Sequence, residues 1–280
     1  MKTLFLTANI FDEFKEYLVL QERSQATIEK YIRDSLIFAK FADNRELSKE
    51  VVIEYKKYLQ EKYAVRSVNS MLASINSLFL FLGRHELKVK SLKVQQQVFC
   101  SENNELTKDE YARLCKAAKC RHNERLNIIL QTICGTGIRV GELQFITVEA
   151  VKQSEAVVSL KGKTRSIFIV KALKKKLLRY AAEQNIKTGA IFVTRTGKPI
   201  NRTNIWREMK ALCAEANVNP QKVFPHNLRH LFARVFYGIE KDIVKLADIL
   251  GHSSINTTRI YIISTGSEHR KRMEKMKLII

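Results

Sequence analysis

The chain has 280 residues, a formal net charge of +21 and a hydrophobic content of 45%, which is enough to build real hydrophobic cores and excludes a disordered chain. Only 3 prolines and 10 glycines occur, so long helices are favoured over a β-rich fold. No window of about 20 uncharged apolar residues exists, which excludes a membrane-spanning helix, and the apolar run before Asp12 is too short for a secretory signal.

The positive charge is concentrated after residue 90. Residues 1–90 carry 15 Lys and Arg against 12 Asp and Glu, while the rest of the chain carries 34 against 16. Such an excess favours a nucleic-acid partner. By itself, the charge is also compatible with a membrane surface, a ribosome or no specific partner.

Amphipathic helical patterns fill the first 84 residues. Apolar residues recur with helical spacing over residues 7–22, 24–38, 48–59 and 67–82. Ser24 and Ser48 stand at positions typical of N-caps. The pattern predicts a bundle of four helices as the first domain, residues 1–84.

A polar stretch over residues 85–104 predicts a linker. Thr107 and Glu110 form a capping-box pattern that opens a second, mainly helical domain over residues 105–263. Val157–Leu160 and Ser166–Val170 are predicted strands, joined by the Lys161–Thr164 turn as a hairpin, and Ile191–Val193 is a candidate third strand. The fold class is therefore mainly α with a small β-sheet: a helical domain followed by a mixed α/β domain.

Five cysteines occur, an odd number, and no pair has the spacing of a zinc ribbon. We expect them to be reduced in a cytosolic protein. The alternative to free cysteines is a metal cluster formed by Cys115, Cys120 and His122, but the spacing of these residues matches no known site closely. We therefore predict no metal.

The segment from Gly135 to Leu143 is the first candidate site. Its glycines allow a tight turn beside an anion, and the Arg139 guanidinium can hold a phosphate through two hydrogen bonds. Glu142, three residues later, can orient Arg139. An ordinary surface Arg–Glu pair remains the alternative for this segment alone.

Lys163, at the hairpin, is the second candidate. An ammonium group can protonate a departing oxygen. Many hairpin lysines are simply solvated, so the residue carries little information alone.

Pro225–His230 is the third candidate site. Proline favours a helix start, and His226 and Arg229, at i and i+3, share one helical face. The pair suits a phosphate oxyanion and proton transfer near neutral pH. His230 is expected to face inward or to cap packing, because residues i and i+1 do not share a helical face.

Leu250–Tyr261 is the fourth candidate site. Gly251 is placed as a helix C′ residue, with His252 just beyond the helix end. Taken alone, Tyr261 is more often a packing aromatic than a nucleophile.

Together, and in this order, the Arg139 turn, the hairpin lysine, His226-x-x-Arg229, Leu250-Gly251-His252 and Tyr261 resemble the tyrosine recombinase (phage integrase, Xer-type) family. The resemblance covers nearly the whole chain. It implies a helical DNA-clamp domain, a catalytic domain and a catalytic set. That set comprises Arg139, Lys163, His226, Arg229, His252 and Tyr261, supported by Glu142.

The resemblance implies a metal- and cofactor-free site-specific reaction through a 3′-phosphotyrosyl intermediate. Tyr261 would attack the scissile phosphate while Arg139 and Arg229 hold its oxygens. His252 would add a hydrogen bond, Lys163 would protonate the 5′-oxygen, and His226 would help deprotonate Tyr261.

The hairpin departs from the family pattern, because it is shorter than the usual turn. Lys163 matches best, since Arg165 follows it at the expected offset, and Lys161 is the alternative. Lys161, Arg165 and Arg202 are candidate DNA contacts.

The implied partners are double-stranded DNA with an inverted-repeat site and three further copies of the chain. The basic amphipathic tail, residues 264–280, would dock on a neighbouring protomer, although a frayed end is the alternative. A cytoplasmic, nucleoid-associated bacterial protein is expected. The sequence leaves open whether the task is integration, excision, inversion or dimer resolution, with a mobile element or inversion system favoured.

Two other functions share these features. A catalytically silent protein would keep the fold for DNA binding alone, and a type IB topoisomerase would use the same chemistry without a defined site. The first would bind DNA without a covalent adduct, and the second would relax any supercoiled plasmid.

Overall fold

The structure, a computed structural model, describes residues 6, 8–43, 45–93, 105–160, 163–194, 196–262 and 274–276. The chain divides into two compact units, Met1–Gln96 and Gln97–Ile280. No helix among the described residues has the length and apolar character needed to cross a membrane.

In the first unit, the described residues form a short 3-10 helix at His85–Leu87 and four α-helices, in agreement with the predicted bundle. The four α-helices are α1 (Ala8–Leu20), α2 (Gln25–Ala42), α3 (Lys49–Lys62) and α4 (Val65–Phe81). The fourth helix begins at Val65, before the predicted start near residue 67. Helix α4 packs against the other three, with Leu78 in the core shared with α1 and Phe79 in the core shared with α3.

A buried carboxylate joins two helices of this unit. Asp34 of α2 is only 3% exposed, and it is paired with Lys30 and accepts a hydrogen bond from the Ser74 hydroxyl of α4 at 2.8 Å. Lys30 also donates to the Ser70 carbonyl at 3.0 Å. A buried charge needs such partners to offset its lost hydration, so these contacts fix how α2 lies on α4.

The predicted linker at residues 85–104 is wrong in its first part, because residues 85–93 pack on the bundle. Leu87 and Val89 are buried in the first unit's core. The side-chain amide of Asn76 makes two hydrogen bonds with the Val89 backbone, at 2.9 and 3.0 Å, and Asn69 does the same with Leu92. The asparagines satisfy backbone groups that a solvated linker would leave to water. The rest of the predicted linker, residues 94–104, lies outside the described residues.

The described part of the second unit is mainly helical with one hairpin. Its elements are α5 (Lys108–Cys120), α6 (Glu124–Thr136), α7 (Val148–Gln153), β1 (Glu155–Leu160), β2 (Lys163–Phe168), α8 (Lys171–Glu183), α9 (Arg202–Ala211), α10 (Pro225–Glu240), α11 (Ile243–Leu250) and α12 (Ile255–Ile262), with short 3-10 helices at Val140–Phe145 and Pro220–Lys222. Helix α6 is central and packs against α5, α8, α9 and α10.

Local sequence signals set several helix ends in this unit. The capping box predicted at Thr107 and Glu110 is confirmed, with hydrogen bonds of 3.1 and 2.8 Å. Helix α6 ends at Gly137, whose φ is +66°. A Cβ at Gly137 would lie 2.5 Å from the Phe232 ring, so only glycine lets α10 approach the end of α6 this closely.

The hairpin is antiparallel and pairs Leu160 with Lys163 and Val158 with Arg165. The second strand begins at Lys163 rather than at the predicted Ser166. Turn residues 161 and 162 lie outside the described residues. The third strand predicted at Ile191–Val193 is wrong: within the described ranges, only isolated bridges occur there, including one from Val193 to Pro199.

Candidate active site

Three arginines bind three successive backbone carbonyls at the end of α11. Arg165 donates to Ile249 O at 2.5 Å, Arg229 donates to Leu250 O at 2.7 Å, and Arg139 donates to Gly251 O at 3.4 Å. The last carbonyls of a helix have no partner inside the helix and carry partial negative charge, so they attract cations. The arginines come from β2, from α10 and from the turn after α6, and this helix end brings them together.

Glu142 lies between two of these arginines. Its carboxylate pairs with Arg139 at 2.9 Å and with Arg165 at 2.5 Å, and the side chain is only 4% exposed. It also accepts the backbone N–H of Arg139 at 2.9 Å. Burial opposes ionisation, but the hydrogen bonds from Arg139 and the charge of Arg165 outweigh it, so the pKa of Glu142 lies below its ordinary value. Glu142 is therefore an anion that holds the Arg139 turn in place.

Arg229 is buried, with 1% of its surface exposed. It donates to Gly137 O at 2.5 Å and Leu250 O at 2.7 Å, and one of its terminal nitrogens lies 2.9 Å from Nε2 of His252. Burial, and then the charge of Arg139, lower the pKa of Arg229 to about 10. The guanidinium still carries its charge at neutral pH, at the floor of the site.

These contacts determine the tautomer of His252. A guanidinium only donates hydrogen bonds, so Nε2 of His252 accepts and the ring proton lies on Nδ1. Nδ1 lies 2.9 Å from the hydroxyl of Thr258 in α12, which is fully buried. Burial, and then Arg229, lower the pKa of His252 to about 4. At neutral pH this histidine is neutral and orients Arg229.

Tyr261 of α12 lies beside two histidines of α10. Its hydroxyl is 3.2 Å from Nε2 of His226, and its ring stacks on His230 with a centroid separation of 4.2 Å. The centre of the Arg229 guanidinium is 5.9 Å from the Tyr261 ring. Tyr261 is 5% exposed, so the ring is packed in place with its hydroxyl next to a histidine nitrogen that can act as a base.

Both histidines beside Tyr261 favour the neutral form. Burial, followed by the charges of Arg229, Arg139 and Arg202, lowers the pKa of His226 from its ordinary value. Burial and then His226 lower the pKa of His230 to about 4. A neutral His226 can accept the phenolic proton of Tyr261, as a general base must.

A cavity of about 600 Å³ opens on this cluster. Its lining includes Arg139, His226 and Arg229, together with Arg202 and Trp206 of α9. Arg202 and the half-exposed Trp206 lie one helical turn apart. The cavity thus presents cations and an aromatic face, which suit a phosphate and an adjoining sugar or base.

Matches to known families decide the identity of the chain. The phage integrase family matches residues 104–268, more than half of the chain. Its N-terminal SAM-like domain matches residues 11–86. The chain belongs to the phage integrase family.

Curated and solved members agree with this assignment. The tyrosine recombinase XerA of Pyrococcus horikoshii is 28% identical over 285 residues, covering 98% of this chain and 95% of that protein. The crystal structure of XerA recombinase is 25% identical, with a TM-score of 0.55 and coverage of 97% of this chain and 99% of that one. This phage integrase is a site-specific tyrosine recombinase.

A lambda integrase tetramer bound to a Holliday junction has the same fold. Its TM-score is 0.75 at 16% identity, and the match covers 93% of this chain and 78% of that one.

The recombinase brings five of its six predicted catalytic side chains into one cluster: Arg139, His226, Arg229, His252 and Tyr261. Lys163 begins β2, but its side chain, like residue Lys161, lies outside what the structure describes. Arg202 lines the cavity, and its role as a DNA contact stays a prediction. The side chain of Arg165, predicted as a DNA contact, is 11% exposed and binds Glu142 and Ile249 O.

Sequence reasoning missed three residues of this recombinase site. His230 was expected to face inward or to cap packing, with no partner named; it stacks on Tyr261, and its position four residues after His226 was the available signal. Thr258, three residues before Tyr261, signals a shared face of α12 in the same way. Trp206 is the single tryptophan of the chain, and nothing in its local sequence distinguishes it from a packing residue.

The four described cysteines are free, and Cys100 lies outside the described residues. Across the described ranges, His, Cys, Asp and Glu form no group of three that could hold a metal ion, so Cys115, Cys120 and His122 do not converge.

Proposed function

We propose that this recombinase cuts and rejoins duplex DNA with Tyr261 as the nucleophile. The observation that carries the proposal is the 3.2 Å contact between the Tyr261 hydroxyl and Nε2 of His226, beside the buried guanidinium of Arg229. A phenol is largely protonated at neutral pH, so a nucleophilic tyrosine needs such a base.

In the proposed reaction, the Tyr261 oxygen bonds to the scissile phosphorus and its proton passes to His226. The bond between phosphorus and the 5′-oxygen breaks, and Lys163 supplies the proton that the 5′-oxygen takes up. Arg139 and Arg229 neutralise the charge on the non-bridging oxygens. The product is a 3′-phosphotyrosyl link and a free 5′-hydroxyl.

The role of His252 follows its tautomer. Its Nε2 accepts a hydrogen bond from Arg229 and has no proton to give to a phosphate oxygen. We therefore assign it the positioning of Arg229, whereas the sequence suggested a direct hydrogen bond to phosphate.

We further propose that the reaction needs neither metal nor ATP. The guanidinium groups of Arg139 and Arg229 supply positive charge where a metal would otherwise be used. The phosphotyrosyl bond retains the energy of the broken phosphodiester, so a 5′-hydroxyl of a partner strand can attack it and exchange strands. Cleavage in excess EDTA, with no nucleotide added, should match cleavage in magnesium buffer.

Strand exchange between two duplexes implies four protomers on an inverted-repeat site. The lambda integrase named above is a tetramer on a Holliday junction, which supports this assembly. We propose that residues 264–280, of which the structure describes only 274–276, dock on a neighbouring protomer. We also propose that the protein acts in the cytoplasm, on the nucleoid. Deleting residues 264–280 should abolish tetramers on DNA while single protomers still bind.

The decisive experiment traps the covalent intermediate on DNA that contains every candidate site. Sheared genomic DNA of the source organism is incubated with the protein, and SDS-resistant adducts are recovered and sequenced. Wild-type protein should yield adducts at one sequence class, and Tyr261→Phe should yield none while retaining DNA binding. Binding without adducts would indicate a catalytically silent protein, and adducts spread over all sequences would indicate a topoisomerase.

A further inference from the structure

The side chain of Arg165 crosses from the hairpin to two other segments of the site. One terminal nitrogen binds Ile249 O at 2.5 Å, and the other binds Glu142 at 2.5 Å. Ile249 precedes the two carbonyls that hold Arg229 and Arg139. Arg165 therefore connects β2, the Arg139 turn and the end of α11 through one planar group, which a lysine cannot reproduce.

Packing against Gly251 fixes the path of this side chain. A Cβ at Gly251 would lie 2.3 Å from Cδ of Arg165, so the arginine stem runs directly over the glycine. His252 is the next residue. A displaced Arg165 would therefore disturb the backbone that positions His252.

Charge gives Arg165 a second effect. Arg139, Glu142 and Arg165 form a triad in which the carboxylate is buried and bound to both guanidinium groups. With both arginines present, the triad has one positive charge in excess. If Arg165 were neutral, Glu142 would cancel the charge of Arg139, the one arginine of the triad that is substantially exposed, at 42%.

We propose that Arg165 is a positioning residue of the recombinase, which offsets the charge of Glu142 so that Arg139 keeps a net positive charge for the scissile phosphate. It acts through Arg139 and the end of α11 and does not touch DNA. This inference rests on the proposed function of Tyr261 and Arg139, and it replaces the expectation that Arg165 contacts DNA.

The test uses a DNA duplex with a site recovered from the covalent adducts described above. It compares single-turnover cleavage of this duplex by Arg165→Met and Arg165→Lys. We expect Arg165→Met to cleave about 100-fold more slowly while its DNA Kd changes by less than about threefold. Arg165→Lys keeps the charge but cannot bind both partners at once, so its rate should lie between those of Arg165→Met and the wild type. Arg121→Met, which removes an exposed arginine paired with Glu215, is the matched control and should cleave at the wild-type rate.

A double variant separates charge balance from a merely structural role. Adding Glu142→Gln to Arg165→Met restores the positive excess of the triad while the amide oxygen can still accept the Arg139 N–H. Cleavage should recover by about tenfold over Arg165→Met alone. No recovery in a folded double variant, or wild-type cleavage by Arg165→Met, overturns the inference. Absence of any adduct from the wild type instead overturns the proposed function.

Discussion

At the residue scale, the site depends on side chains whose protonation is set by their neighbours. Arg229 donates to Nε2 of His252 and so makes that nitrogen the acceptor, and the Thr258 hydroxyl accepts the hydrogen bond from Nδ1–H. His226 lies in the field of three arginines and stays neutral. The same cations that would bind a phosphate thus keep the histidines in the form that the proposed chemistry needs.

Thr258→Val tests the hydrogen bond behind His252. The substitution keeps the shape of the buried side chain but leaves Nδ1–H of His252 without its acceptor, so the ring and Arg229 lose their fixed geometry. We expect cleavage to slow by roughly tenfold with DNA affinity unchanged, measured in single-turnover assays. Thr258→Ser retains the hydroxyl and should cleave at close to the wild-type rate. Equal loss in both variants would contradict this role.

The depressed pKa values of His230 and His252 predict acid sensitivity of the second unit. Both have folded-state pKa values of about 4, below the unfolded value near 6.5. The unfolded state therefore binds more protons, and stability is lost as the pH falls from about 6.5 towards 4. We expect a loss on the order of 2 kcal/mol for each histidine between pH 7 and pH 5.

Urea unfolding followed by fluorescence checks this prediction, because the single tryptophan, Trp206, lies in the second unit. His122→Asn, which changes an exposed histidine, should keep the same pH dependence. Equal stability at pH 7 and pH 5 would show that the two half-buried histidines, His230 and His252, titrate normally.

At the element scale, the end of α11 organises the site. Its last carbonyls hold arginines from three other segments, and Gly251 lets the chain leave the helix in a left-handed conformation with φ +62°. Helix α12 then returns Tyr261 to α10, against which it packs. The site therefore depends on where the short helices α11 and α12 end and begin, and not on the length of the helices.

Gly251→Ala should damage both stability and cleavage. The new Cβ would be strained at a positive φ and would collide with Cδ of Arg165. We expect a loss of about 1–3 kcal/mol on unfolding and cleavage reduced by at least about tenfold. Gly238→Ala is the matched control: this glycine lies inside α10, where an added Cβ would meet nothing within 4 Å, so alanine should be neutral or stabilising. If both variants behave alike, the close packing of Arg165 on Gly251 is unimportant.

At the scale of the whole molecule, the net charge of +21 exceeds what the site alone requires. Most of the excess lies beyond residue 90, in the part of the chain that carries the active-site cluster. Lysines and arginines spread over the surface bind phosphates without reading sequence, so they would supply affinity while base contacts supply specificity.

Affinity for DNA should therefore fall steeply with salt. Each neutralised phosphate releases counterions, and a protein with several such contacts loses about 1,000-fold or more in affinity between 50 and 200 mM salt. Fluorescence anisotropy with a labelled duplex measures the slope. Tyr261→Phe should show the same slope as the wild type, because no cation is lost. A response flat in salt would contradict a binding surface built on these charges.

The sequence by itself determined the four-helix bundle, the capping box at Thr107 and the order of the candidate site residues. These depend on local periodicity, caps and turns, which neighbouring residues specify. Residues 85–93 were predicted as a linker from their local sequence. They pack on the bundle because two asparagines of α4 hydrogen-bond to their backbone.

Only the tertiary structure decided which side chains of the site contact each other. Arg165 is bound to Glu142 and Ile249, and His230 lies under Tyr261, through contacts between segments far apart in the chain. Thr258 holds His252 across the turn between α11 and α12. Side-chain type shows what a residue can donate or accept, but packing decides which partner it meets. Burial then decides which of these groups carries charge.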